Sequence, residues 1–177
     1  MIDNIFKEML DDNIVDYGVI LQSWIGIPGV NIKLKYQDII DFAIKRINNS
    51  PNELEENLLI DLTSVCFLDN AEITRILTEL CDFEQVNITM SLRKWRLYLL
   101  KNILNDLETD ALYVLIRLSE FWIEWQTVLI DPIPHLYQGV NNSMSPQDYY
   151  SEENMNRTID IHKKWIENEI KSVVWIG

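Results

Sequence analysis

Apolar residues recur at intervals of three and four along most of this chain, a spacing that lines up one side of a helix and not the alternate positions of a half-buried strand. Taken with its start and stop signals, the spacing predicts helices over residues 2–11, 14–24, 36–48, 51–65, 70–81, 92–105, 107–129 and 151–171. The expected fold class is all-α: a single-domain helical bundle or a stack of helical hairpins over residues 1–177.

The start signals are clearest in the middle of the chain. In SPNE, Ser50 is placed as N-cap, Pro51 at the first helical position and Glu53 at N3, a capping box ahead of Leu54, Leu58, Leu62 and Val65. DNAE repeats the device with Asp69 and Glu72, followed by Ile73, Ile76, Leu77 and Leu80. In YQDIIDFAIKRI, Ile40, Ala43, Ile44 and Ile47 fall on one face while Asp41 stands four residues before Lys45 on the other. SLRKWRLYLLKNIL is apolar on two sides, through Trp95, Leu99 and Ile103 and through Leu97, Leu100 and Leu104. The following helix has Leu112, Leu115 and Trp122 on one stripe and Val114, Leu118, Phe121 and Trp125 on another. These two helices are expected to form the core hairpin. The weak alternation of Val86, Ile88 and Met90, with the β-branched SVVWIG at the end, leaves room for a minor short strand pair.

A chain of 177 residues, 47% hydrophobic and 24% charged, has the size and composition of one globular domain. No apolar run approaches the roughly 20 residues that span a bilayer, and MIDNIFKEMLDD lacks the basic start and apolar block of a signal peptide, so a cytoplasmic location is expected. Cys66 and Cys81 lie in apolar helical surroundings and read as packing residues. The formal net charge of −13 repels nucleic acid and anionic lipid, and a basic protein partner is what such a field attracts. Residues 1–90 carry most of it, with 16 acids against six bases. The basic cluster of Arg93, Lys94, Arg96 and Lys101, mixed with Trp95 and Tyr98, is expected to pair with carboxylates inside the fold.

Little in the sequence points to catalysis. His135 and His162 are the only histidines and belong to no metal-binding or nucleophile motif. His162 shares an apolar stripe with Met155, Ile159 and Ile166, which marks a core histidine with a local hydrogen bond. GIPGV, at 26–30, has two glycines and no following Lys-Ser/Thr, and reads as a turn. Adjacent carboxylates such as Glu55 with Glu56 point in different directions on a helix and most belong to solvated faces. No catalytic residue, metal ligand or cofactor is assigned, and the protein is expected not to be an enzyme.

The stretch from Asp131 to Asn154 concentrates prolines and tyrosines. His135, Tyr137, Tyr149 and Tyr150 stand there beside Asp148, Glu152 and Glu153, and with the acidic helix start at Glu53, Glu55 and Glu56 they form the candidate partner-binding set. The bland alternative is that the prolines merely bound helices and the tyrosines pack on the core.

Three stretches, DIIDFAIKRINNSPNELEENLLIDL, RKWRLYLLKNIL and SPQDYYSEENMNRTIDIHKKWIENEI, occur in an order that resembles an uncharacterised bacterial domain-of-unknown-function family of small acidic helical proteins associated with toxin–immunity and contact-dependent growth inhibition clusters. The resemblance runs from Tyr36 onward. It implies an immunity protein that binds and neutralises a cognate toxin domain, such as a nuclease, by masking its active or substrate-binding surface. The competing readings are an enzyme with an acidic, metal-dependent hydrolytic site and a helical scaffold protein.

Overall fold

The computed structural model describes residues 2–49, 52–64, 69–129 and 144–174. Among them are nine helices: α1 (Ile2–Asp11), α2 (Tyr17–Ile25), α3 (Tyr36–Ile47), α4 (Glu53–Thr63), α5 (Asn70–Glu84), α6 (Ile88–Asn105), α7 (Ala111–Gln126), α8 (Pro146–Tyr149) and α9 (Glu152–Val174). The fold is all-α, as the periodicity predicts. The chain divides into two compact units, Met1–Leu92 and Arg93–Gly177.

Side-chain caps set most helix starts. Asp16 accepts from the Val19 N–H at 2.7 Å, Asp69 from Glu72 at 2.8 Å, and Asp110 from Leu112 at 2.9 Å. The α4 start differs from the SPNE expectation. Ser50 and Pro51 lie outside the described residues, and Asn52 is the N-cap, accepting from the Glu55 N–H at 3.0 Å. The buried face of α4 is Glu55, Leu59 and Leu62, with Leu54 pointing outward, while Val65 lies outside the described residues. In α3 the buried positions are Ile39 and Ala43, while Ile44 is exposed. Asp41 accepts from Gln37 at 2.8 Å, and no Asp41–Lys45 ion pair forms.

The short strand pair is absent among the described residues. Gln85 in the left-handed region ends α5, and the Asn87 side chain then accepts from the Met90 N–H at 3.1 Å, which converts the alternating stretch into the first turn of α6. At the other end, Ser172 to Val174 continue α9, and residues 175–177 lie outside the described set. The GIPGV segment is a turn, closed by an antiparallel bridge between Ile27 and Val30.

In the first unit α2 packs on α5, α3 on α4, and α4 on α5. Gly18 is the closest approach, since a Cβ there would lie 2.3 Å from Ser91 Oγ and 2.6 Å from Val86 Cγ1. In the second unit the closest backbone packing is between α7 and α9, not the α6–α7 hairpin expected from sequence. Trp95, Leu99, Leu115 and Trp122 are buried, whereas Ile159 is only half-buried and Leu112, expected on a core stripe, is exposed.

Candidate protein-interaction surface

Two polar clusters, each built on a buried carboxylate, Glu55 or Glu169, account for much of the chemistry that the sequence left open. In the first unit the Tyr17 hydroxyl donates to Glu55 Oε1 at 2.5 Å, and Arg46 donates from Nε to the same oxygen at 2.8 Å and from Nη2 to Glu84 Oε1 at 3.0 Å. The guanidinium also lies 5.5 Å from the centre of the Tyr17 ring. Burial alone would raise the Glu55 carboxyl, but the bonds from Tyr17 and Arg46 outweigh it and hold the group below its usual range. Burial, aided by the Glu55 charge, pushes the Tyr17 hydroxyl upward. Glu55 is thus a structural carboxylate, so it does not join Glu53 and Glu56 on the exposed side of α4. A small cleft of about 90 Å³ adjoins this cluster, lined by Leu10, Asn13, Val15, Phe42, Lys45, Arg46 and Asn49.

The second cluster joins α6, α7 and α9. Glu169 takes a two-pronged bond from Arg93, at 2.8 Å from both Nε and Nη2, and a further bond from Arg96 Nη2 at 3.1 Å. Arg96 is buried, with its guanidinium carbon 5.7 Å from the centre of the Trp122 ring and 5.1 Å from that of Trp165. Burial opposes ionisation of Glu169, but the two arginines prevail and its carboxyl sits below the usual range. Lys101 lies over the Tyr98 ring at 4.4 Å. Arg93 and Arg96 of the basic cluster therefore pair within the fold, as expected. His162 is fully buried, accepting from Trp122 Nε1 at 3.0 Å and meeting the Thr158 carbonyl through Nδ1 at 2.6 Å. Cys81 is a buried free thiol, and burial raises its thiol to about 12, while Cys66 lies outside the described residues. Among the described residues no three His, Cys, Asp or Glu side chains gather where they could hold a metal ion, and no helix is long and apolar enough to cross a membrane.

What remains for recognition lies on the outside. On α4, Glu53, Glu56 and Asp61 are exposed around Leu54, 61% exposed, and Ile60, 45% exposed. At the α8–α9 corner, Ser145 caps α8 through a 3.1 Å bond from the Asp148 N–H, with Pro146 in its first turn. Ser151 accepts from the Asn154 N–H at 3.2 Å and opens α9. These caps leave Asp148, Glu152 and Glu153 exposed beside half-buried Tyr150. Tyr149 turns the other way: it is buried, edge-on to Tyr150 with ring centres 4.9 Å apart, and its carbonyl accepts from the Asn154 side chain at 2.7 Å. The structure thus brings Asp148, Tyr150, Glu152 and Glu153 together, puts Tyr149 beneath them, and places Glu53 and Glu56 on a different helix. His135 and Tyr137 lie outside the described residues.

Sequence reasoning missed the Arg46–Glu55–Tyr17 cluster and the exposed apolar side chains of α4. No local signal names the second, because the face of α4 that is buried is set by its packing on other helices and not by which residue caps it.

The family described as "Uncharacterized protein conserved in bacteria (DUF2247)" matches residues 8–170. The chain belongs to this family. No curated protein and no solved structure matches the chain. The family match takes in both polar clusters, the outward face of α4 and the α8–α9 corner.

Proposed function

We propose that this DUF2247 chain is an immunity protein that acts in the cytoplasm, binding a cognate bacterial toxin domain of basic character and masking its active or substrate-binding surface. The observation that carries the reading is the outward face of α4, where Leu54 and Ile60 are exposed among Glu53, Glu56 and Asp61, none of which forms an ion pair among the described residues. Exposed apolar side chains set among free carboxylates suit a partner that is apolar at the contact and cationic around it. A net charge of −13 adds long-range attraction for such a partner, which speeds encounter, while the apolar and aromatic contacts slow release. A toxin nuclease is one such partner, because a polyanionic substrate demands a basic surface. The α8–α9 corner, with Tyr150 beside Asp148, Glu152 and Glu153, offers a second patch of the same kind.

Co-expression with a candidate basic toxin domain, beginning with any encoded beside this gene, tests the reading. Survival of the cells and co-purification of the two chains are expected, both reduced by Leu54→Glu. Cell death in the presence of soluble, folded protein would reject immunity against that toxin.

A further inference from the structure

Helix α7 already buries a full apolar face through Val114, Leu118, Phe121 and Trp125, so it has no need of further apolar residues for its own packing. It carries them nonetheless. Leu112, Ile116 and Ile123 are 40%, 37% and 54% exposed, and their intervals of four and seven put them in one line along the opposite side of the helix. With half-buried Ser119 between the two isoleucines, this line has the spacing of a heptad seam, the surface that a second helix packs against.

The flank of the seam selects its occupant. Glu120 and Glu124 are exposed along one edge, and Tyr113, 58% exposed, continues that edge toward the N-terminus. Arg117, on the same edge three residues before Glu120, is engaged elsewhere: it donates from Nη1 to the Asp106 carbonyl at 2.6 Å and stands 3.6 Å from the Asp106 carboxylate. Among the described residues no ion pair is formed by Glu120 or Glu124. A second copy of this chain fits less well, because its seam brings the same exposed carboxylates, Glu120 and Glu124, to the contact and so adds negative charge to negative charge. We propose that the Leu112–Ile116–Ile123 seam of α7 is a docking surface for a basic amphipathic helix, one with apolar residues at heptad spacing and lysines or arginines on its flank. The proposal rests on the reading of this chain as a partner-binding protein and adds the secondary structure and charge of what binds.

The test uses the full chain and a fluorescently labelled synthetic helix with leucines on one face and lysines on its flanks, against a twin whose lysines are replaced by glutamates. The lysine peptide is expected to bind and the glutamate peptide not to bind at the same concentrations. Ile116→Gln with Ile123→Gln, which keeps helix propensity and touches no core residue, is expected to weaken binding about tenfold or more. Glu120→Gln with Glu124→Gln is expected to weaken it about threefold and flatten its dependence on salt. Asp82→Asn with Asp160→Asn, which removes the same charge elsewhere, is expected to leave it unchanged. Equal binding of the two peptides, equal binding by the isoleucine variant, or a chain dimer that the isoleucine variant dissociates would each overturn the proposal. The immunity reading is judged separately. Seam variants that still protect cells and still bind the toxin domain sink this proposal alone, and a wild-type chain that binds the lysine peptide but never protects cells sinks only the immunity reading.

Discussion

The indole N–H of Trp122 on α7 points at Nε2 of His162 on α9, 3.0 Å away, so the imidazole is held neutral with its proton on Nδ1, facing the Thr158 carbonyl at 2.6 Å. Burial drives the ring from its ordinary 6.5 down to about 4, with the Thr158 bond opposing only in part. Unfolded chains therefore take up more protons than folded ones between these two values. Stability from this group is complete above pH 6.5 and is lost as pH falls toward 4, by about 3 kcal/mol. Urea denaturation at a series of pH values checks it. His162→Gln is expected to be less stable at neutral pH and to show a shallower loss across that window.

Trp122 is the centre of the second unit's packing, edge-on to Trp165 at 5.2 Å and to Phe121 at 5.3 Å. Trp122→Ala is expected to cost about 3–5 kcal/mol. Trp122→Phe keeps most of the volume but leaves Nε2 of His162 without this donor, for a cost of about 1–3 kcal/mol. Equal stability of the wild type and the alanine variant in denaturant titration would refute the placement.

Gly18 gives a test of the first unit. Its missing Cβ leaves room for the Ser91 hydroxyl, which donates at 2.9 Å to Asp16, the side chain that caps α2. Gly18→Ala raises helix propensity yet drives a methyl into Ser91 and Val86. A net destabilisation of about 1–3 kcal/mol is expected by thermal or chemical denaturation. Ser91→Ala in the same background should recover part of the loss, because it removes the closest atom.

For the proposed toxin complex, the association rate is expected to fall steeply as salt rises through the screening range, with dissociation little changed. Tyr150→Ala is expected to speed dissociation and cost about 2 kcal/mol of affinity. Tyr149→Ala should instead lower the stability of the free chain, since that ring is buried and burial also raises its hydroxyl's pKa. Stopped-flow association and a melting curve for each variant separate the two effects.

Most helices were legible in the sequence because caps and spacing act locally: Asp69 and Glu72 open α5 where the DNAE pattern puts them. The start and buried face of α4 were not, because Ser50 and Asn52 are both good caps three residues before a glutamate, and the buried side of the helix is the one on which Glu55 meets Arg46 and Tyr17 from other helices. The minor strand pair failed for a related reason, as the alternation of Val86, Ile88 and Met90 was outweighed by the Asn87 cap. His162 was read correctly as a core residue from its stripe, but its donor, Trp122, lies 40 positions away and no local pattern could name it. Of the candidate surface, the exposed acids at Asp148, Glu152 and Glu153 were legible from composition, whereas the opposite burial of adjacent Tyr149 and Tyr150 depends on packing alone.

Glu55 is the point where three helices of the first unit meet: its N–H is capped by Asn52, while its carboxylate holds Tyr17 of α2 and Arg46 of α3. The first turn of a helix is ordinarily the first to fray, because its amides lack partners within the helix. Here that turn opens only by surrendering the bonds that fasten α2 and α3 as well. Amide hydrogens at Glu55 and Glu56 are therefore expected to open together with those of the two neighbouring helices, and in hydrogen exchange this helix end is expected to behave as interior.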